Sequence, residues 1–260
     1  GGVLCRCTGY RKIIDAVVAA GNHIPNDQPR GGVGDPIARL DGVQKVDGSE
    51  LFGDDVAPID ALVARVIRSP FARARFEFGD LDVVRARSGI EAVLTASDIP
   101  GVNLFGPIPG FVDQPAFAQK ETRFKGEAVE AVIGDIAVLA EMDPQDFPIE
   151  WRELNAAQDV ESASRADAPQ LHEKHAQNLM CEGFVAHGDV AAGLAQAAFV
   201  REGSYETSFV EHAYIEPEAG YAELVDGRVH LHVCTQSPVM NQEALASILA
   251  LDVDQIRIVP

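Results

Sequence analysis

The chain has 260 residues, of which 47% are hydrophobic and 23% charged, a composition typical of a globular protein with one large or two ordinary domains. Its formal net charge of −19 argues against nucleic acid or an anionic membrane surface as a partner, because phosphate binding needs clustered Lys and Arg. No apolar run approaches the roughly 20 residues of a membrane span, so none is predicted.

The four cysteines are Cys5, Cys7, Cys181 and Cys234, too few and too widely spaced for the disulfide framework of a small secreted domain. The opening residues lack the basic start and apolar stretch of a signal peptide, and they lack a starting Met, which leaves an upstream start open. We therefore expect reduced thiols and a cytoplasmic protein. Cys181 and Cys234 are predicted to be small core residues.

The first predicted element is a helix over residues 11–20, with Thr8 as its N-cap and Gly21 at its end. Residues 23–34 are rich in Pro, Gly and polar side chains and are predicted to be a linker. A mixed α/β module then follows over residues 35–160. Its predicted strands, all short, are 62–67, 74–78, 91–95, 127–133 and 149–153.

A short helix is predicted over residues 136–142, and the polar, Ala-rich residues 155–176 are predicted to form a surface connection. The last section, residues 177–260, is predicted to contain a hairpin across Asp226–Gly227, a dipeptide that favours a tight turn. The other predicted elements of this section are helices over 190–198 and 241–251 and strands over 199–207 and 255–259.

Cys5 and Cys7 are the first candidates for chemistry. Two thiolates two residues apart can bind one soft metal centre such as an iron–sulfur cluster, and here they precede a capped helix whose N–H groups favour negative charge. A C-x-C pair alone is weak evidence, and two ordinary thiols at a frayed end are the alternative.

The string Leu4-Cys5-Arg6-Cys7-Thr8-Gly9-Tyr10 resembles the end of the helical [2Fe–2S] domain of the xanthine dehydrogenase and aldehyde oxidoreductase family of molybdenum hydroxylases. The resemblance implies that Cys5 and Cys7 are two ligands of a cluster close to the molybdopterin. In the family, the other two ligands come from a C-x-x-C pair earlier in the chain, which this sequence does not contain.

The resemblance continues along the chain. Arg39-Leu40-Asp41, Phe52-Gly53-Asp54-Asp55 and Arg68-Ser69-Pro70-Phe71-Ala72 are similar to segments of the family's a/b hammerhead domain. The run from Glu211 to Glu218 resembles the opening of the molybdopterin-binding domain, and Thr235-Gln236-Ser237-Pro238 resembles its T-Q-x-P loop. The resemblance implies that Gln236 approaches the molybdenum and hydrogen-bonds an oxygen ligand. The family's catalytic glutamate lies much later, so no catalytic residue is assigned.

The expected fold class is therefore α+β: a short helical iron–sulfur tail, a mixed α/β hammerhead-like domain and the beginning of a larger α/β molybdopterin-binding domain. The expected bounds are 1–22, then the linker 23–34, then 35–160 and 177–260. Because this linker is far too short for a domain, no FAD domain is expected between the cluster helix and the hammerhead.

The resemblance implies an oxidoreductase that hydroxylates an aldehyde or N-heterocycle with oxygen from water, using molybdenum–molybdopterin and [2Fe–2S] clusters. We expect both cofactors to be incomplete in this chain alone, and the isolated chain to be inactive. Expected partners are a separate flavoprotein or other electron carrier and a subunit carrying the rest of the molybdopterin domain. The alternative is a non-catalytic assembly or electron-transfer module, or an inactive fragment.

Several other polar residues are interpreted as structural or solvent-exposed and not as catalytic or metal-binding. His230 and His232 share one face of a predicted strand and could bind a metal, but exposed strand positions are favoured because no third ligand is near in sequence. Glu216 and Glu218 are interpreted as solvated loop residues, and His212 as a structural hydrogen-bonding residue.

Overall fold

The computed structural model describes residues 10–20, 32–33, 39–108, 110–144, 147–208, 210–211, 214 and 216–260. The chain divides into two compact units, residues 1–51 and residues 52–260, and each is described by itself. Among the described residues, the helices are all too short or too polar to cross a membrane.

The described part of the first unit contains helices α1 (Tyr10–Ala19) and α2 (Gly42–Asp47). The apolar side chains of α1, which are Ile13, Ile14, Val17 and Val18, are exposed. Asp41 precedes α2 and forms ion pairs with Arg39 and with Lys45 at 2.6 Å, and these two cations lower the pKa of its carboxyl group. Helix α2 ends at Gly48, whose φ of 79° is in the left-handed region that favours glycine.

The first sheet of the second unit is antiparallel and has the order β1-β5-β3. Its strands are β1 (Val63–Arg68), β3 (Ile90–Thr95) and the central β5 (Ala128–Gly134). Five residues of β5 are buried, as expected for a central strand covered on both faces.

The second sheet is also antiparallel and has the order β4-β2-β6. Its strands are β2 (Ala74–Phe78), β4 (Glu121–Thr122) and β6 (Ile149–Glu153). The two sheets share one hydrophobic core. Its buried members are Ile67, Phe76, Val84, Val93, Ala118, Val129, Val132, Leu139, Met142 and Phe147.

The described part of this region also contains the short helices α3 (Asp82–Arg85), α4 (Ile136–Glu141) and α5 (Val160–Ala163). Short 3-10 helices lie at Ala96–Asp98 and Ala176–Asn178. The Thr95 side chain accepts a hydrogen bond from the Ser97 N–H, which caps the first of these 3-10 helices.

Glu130 is a buried acid at the centre of the first sheet. It lies on β5 between Ile67 of β1 and Thr95 of β3. Its side chain is fully buried, and among the described residues neither carboxylate oxygen has a hydrogen-bond partner. Burial, which disfavours the charged carboxylate, raises the pKa of Glu130 to about 7.

The connection after β6 is held to this region by charged side chains. Arg73 forms an ion pair with Glu121 at 2.6 Å and also donates to the carbonyls of Asn155 and Gln170, both at 3.4 Å. Lys174 lies 3.2 Å from Asp113. These contacts explain how a polar, Ala-rich segment follows a defined path across the surface, as predicted for residues 155–176.

The last section contains helix α6 (Val190–Gln196), a hairpin and a strand–helix–strand unit. Strands β7 (Gly220–Val225) and β8 (Arg228–Val233) pair antiparallel, and helix α7 (Pro238–Leu249) leads to β9 (Ile256–Val259), which pairs parallel to β8. A 3-10 helix at Val253–Gln255 precedes β9.

The predicted α+β fold class is confirmed, and so is the hairpin: Asp226 and Gly227 have φ angles of 49° and 78°, as the predicted tight turn requires. The strand predicted over residues 199–207 is wrong. Among its described residues, none belongs to a strand or pairs with a neighbouring strand. Its Phe, Val and Tyr have high strand propensity, but a strand also needs a pairing partner.

Candidate cofactor site

Gln236 lies in the short connection between β8 and α7. Strand β8 ends at Val233, and α7 begins at Pro238, so four residues make the connection. Gln236 is exposed at its bend. Among the described residues its side-chain amide has no hydrogen-bond partner, so both the N–H groups and the carbonyl are free to bind a ligand.

Thr235 fixes the backbone on either side of Gln236. Its hydroxyl oxygen accepts a hydrogen bond from the Ser237 N–H at 3.0 Å and donates to the Asn241 side-chain carbonyl. The Asn241 N–H in turn donates to the Ser237 carbonyl at 3.0 Å. Pro238 occupies the first turn of α7, where a backbone N–H would have no hydrogen-bond partner within the helix. These features hold the connection in one turn and leave the Gln236 amide free.

Helix α7 is anchored on the side of β9. The Gln242 side-chain amide donates to the Ile256 carbonyl at 2.6 Å and to the Val253 carbonyl at 3.0 Å. Ala246 of the helix and Ile256 of the strand are both buried. The strand–helix–strand unit of β8, α7 and β9 thus holds in place the helix that follows the Gln236 connection.

The loop after β3 closes the far end of α7. The N–H groups of Gly101 and Val102 donate to the carbonyls of Ile248 and Ser247, both at 2.9 Å. The last carbonyls of a helix have no partner within the helix, so this loop acts as its C-terminal cap.

The other predicted site residues divide into three groups. Cys5 and Cys7, predicted as cluster ligands, lie outside the described residues, as does His212. Glu216 and Glu218 are exposed, as their interpretation as solvated residues predicted. The prediction that Cys181 and Cys234 are core residues is wrong: Cys181 is exposed, and Cys234 is half-buried with its thiol 3.5 Å from the Pro217 carbonyl.

The structure adds one residue to the two histidines of β8. Glu223 lies directly opposite His230 in the hairpin, and Tyr221 lies opposite His232. The carboxylate of Glu223 and the two imidazoles therefore form one cluster, with ligand atoms all within 4.8 Å of one another. Glu223 could have been found in the sequence, because the two-residue turn Asp226–Gly227 fixes which residues face each other across the hairpin.

Two family models match the chain. Residues 47–155 match the a/b hammerhead domain of aldehyde oxidase and xanthine dehydrogenase, and residues 171–260 match the molybdopterin cofactor-binding domain. Together the two matches span most of the chain. The second includes the hairpin, the Gln236 connection and α7.

Curated relatives give the same result. The chain is 33% identical over 222 residues to the nicotinate dehydrogenase large molybdopterin subunit of Eubacterium barkeri, covering 85% of this chain and 51% of that protein. It is 32% identical over 224 residues to a probable xanthine dehydrogenase subunit of Bacillus subtilis, covering 85% of this chain and 29% of that protein. The chain therefore spans about half of the first relative and less than a third of the second.

Solved structures share the fold. The aldehyde oxidoreductase of Desulfovibrio gigas superposes with a TM-score of 0.80 at 23% identity, covering 98% of this chain and 31% of that chain. Quinoline 2-oxidoreductase from Pseudomonas putida 86 superposes with a TM-score of 0.68 at 24% identity, covering 85% and 29%. With two matched domains, these relatives and this fold, the chain belongs to the xanthine dehydrogenase and aldehyde oxidoreductase family.

Proposed function

We propose that the chain forms part of a molybdenum hydroxylase that oxidises an aldehyde or N-heterocycle with oxygen derived from water. The observation that carries the proposal is the free, exposed amide of Gln236 within the residues that match a molybdopterin cofactor-binding domain. Residues 35–160 would form the hammerhead domain, and residues 177–260 the first part of the molybdopterin-binding domain.

The residues around Gln236 fit such a cofactor. A carboxamide offers two N–H donors and one carbonyl acceptor, which suits hydrogen bonding to an oxygen ligand of a metal. Gln236 would supply these donors, while Thr235 and Pro238 hold its backbone in place. When bound, molybdenum–molybdopterin supplies the two-electron oxidation of the substrate carbon. The contribution of this chain is to position and polarise an oxygen at the end of β8.

Cys5 and Cys7 are proposed as two ligands of a [2Fe–2S] cluster, with the remaining two supplied by residues outside this sequence. The C-x-C spacing and the helix α1 that follows support this role. The linker 23–34 leaves no room for a flavin domain, so electrons would pass to a separate flavoprotein or another carrier.

The substrate class is supported by the names of relatives. These include dehydrogenases of nicotinate and xanthine, which are N-heterocycles, and an aldehyde oxidoreductase. Two curated relatives are named as subunits, which supports a separate subunit carrying the rest of the molybdopterin-binding domain as a partner. A cytoplasmic location remains our proposal.

The experiment compares Gln236→Ala with the wild type in the complete protein, produced with the sequence or subunit that completes it. We expect kcat to fall by about tenfold or more, because a donor aimed at a reacting oxygen is lost, while molybdenum per protein stays constant. The control is Gln158→Ala, an exposed glutamine in the connection after β6, which should leave kcat unchanged. Equal kcat and KM in Gln236→Ala and wild type would contradict the role of Gln236.

A further inference from the structure

One face of the β7–β8 hairpin carries a carboxylate and two imidazoles. Glu223 of β7 pairs with His230 of β8. Because side chains alternate between the two faces of a strand, His232 lies on the same face as His230. The ligand atoms of the three residues all lie within 4.8 Å of one another, so small side-chain rotations would bring all three onto a single metal ion.

His232 is already oriented for such a role. Its ring stacks on the ring of Tyr221, with centroids 4.3 Å apart and planes within 6°. Its Nε2 atom is buried and lies 3.3 Å from a carboxylate oxygen of Glu223, but the two are not aligned as a hydrogen bond, and Nε2 has no other partner among the described residues. A buried ring nitrogen without a hydrogen bond is costly, and a metal ion would satisfy it.

We propose that Glu223, His230 and His232 form a binding site for one divalent transition-metal ion of the zinc class. Two imidazole nitrogens and one carboxylate oxygen are a ligand set that such ions use, and they leave at least one coordination position for water. The Glu223 side chain is 42% exposed, so an ion can enter from solvent. The carboxylate also neutralises one of the ion's two charges.

A positive charge on the neighbouring strand β9 limits the affinity of the proposed site for a metal ion. Arg257 of β9 pairs with His230, and its side chain is exposed, so it can turn into solvent when a cation binds.

A bound ion would tie β7 to β8 immediately before the Gln236 connection. Metal binding should therefore raise the thermal stability of the protein.

The test titrates the full chain with Co²⁺ and Zn²⁺ and follows Co²⁺ absorption, bound metal after dialysis and Tm. We expect one metal per chain, a Co²⁺ spectrum without a thiolate charge-transfer band, and a Tm that rises with metal. Glu223→Gln and His230→Gln should each weaken binding by at least about tenfold, because each removes a direct ligand.

Two controls separate this site from other ligands in the chain. His187→Ala removes an exposed histidine that belongs to neither strand of the hairpin, and this variant should bind Co²⁺ like the wild type. A variant with Cys5→Ser, Cys7→Ser, Cys181→Ser and Cys234→Ser should also keep the site. Absence of binding, binding that Glu223→Gln and His230→Gln leave unchanged, or binding that disappears with the cysteines would each overturn the proposal. None of these outcomes depends on whether the complete protein holds molybdenum.

Discussion

The Gly101 N–H donates to the Ile248 carbonyl at 2.9 Å, which joins the loop after β3 to the end of α7. These residues fall in the two different stretches that match the hammerhead and molybdopterin cofactor-binding domains. Helix α7 begins directly after the Gln236 connection. The hammerhead region thus holds one end of the helix whose other end carries the proposed cofactor contact.

Replacement of Gly101 by alanine should disturb this junction. An added Cβ would lie 2.0 Å from the Ser247 carbonyl oxygen and 2.8 Å from that of Ile248, so the loop must move and its cap hydrogen bonds weaken. We expect Gly101→Ala to lower the free energy of unfolding by about 1–3 kcal/mol, measured by denaturant titration. Gly183→Ala is the matched control, because nothing lies within 4 Å of its added Cβ. Equal stability of the Gly101 and Gly183 variants would contradict this account of the cap.

Glu130 should make stability depend on pH near neutrality. Its pKa is about 7 in the folded protein and close to the ordinary 4.5 when unfolded, so the folded state holds the extra proton between these values. Unfolding then releases a proton, and stability falls as pH rises from about 4.5 to about 7. The shift corresponds to roughly 3 kcal/mol at most.

Glu130→Gln tests this dependence, since glutamine cannot ionise. Its stability relative to the wild type should increase between pH 5 and pH 8, measured by urea unfolding at each pH. Glu127, whose pKa is also raised by burial, keeps a residual dependence in both proteins. Glu150→Gln changes an exposed acid on β6 and should follow the wild type. A constant difference between Glu130→Gln and wild type across this range would show that Glu130 does not titrate there.

The sequence predicts those elements in which the local residue preferences and the tertiary contacts favour the same structure. The β7–β8 hairpin combines a tight-turn dipeptide with flanking segments in which apolar and polar residues are interspersed, and the structure has it where expected. The strand β4 was not predicted, because two residues carry no periodicity and it forms only by pairing with β2. The strand predicted over residues 199–207 failed for the opposite reason: its propensity is high, but it has no strand partner among the described residues.

The candidate site residues also differ in how far the sequence predicts them. Gln236 was singled out by its resemblance to a family loop, and the structure adds that its amide is exposed and unpaired among the described residues. Glu223 is seven residues from His230 in the sequence, and only the register that the predicted Asp226–Gly227 turn sets across the hairpin makes the two neighbours. The burial of Glu130 was missed because most acids in a chain with 40 acidic residues are solvated.

The proposed cluster ligands give a spectroscopic prediction. In the complete protein, Cys5→Ser combined with Cys7→Ser should remove the electron paramagnetic resonance signal of one reduced [2Fe–2S] cluster, since serine is a poor substitute for a thiolate ligand. Molybdenum content should remain close to that of the wild type. The control, Cys181→Ser, changes an exposed cysteine and should keep every cluster signal. An unchanged set of signals in the double variant would remove Cys5 and Cys7 from the ligand assignment.

The most direct test of the central claim is the molybdenum and molybdopterin content of the complete protein, purified from a host that makes the cofactor. We predict close to one molybdenum and one molybdopterin per chain, together with oxidation of an aldehyde or N-heterocycle, whereas the 260-residue chain alone should bind far less than one equivalent. A complete protein that lacks both molybdenum and pterin under these conditions would contradict the proposed enzyme and favour a non-catalytic assembly module.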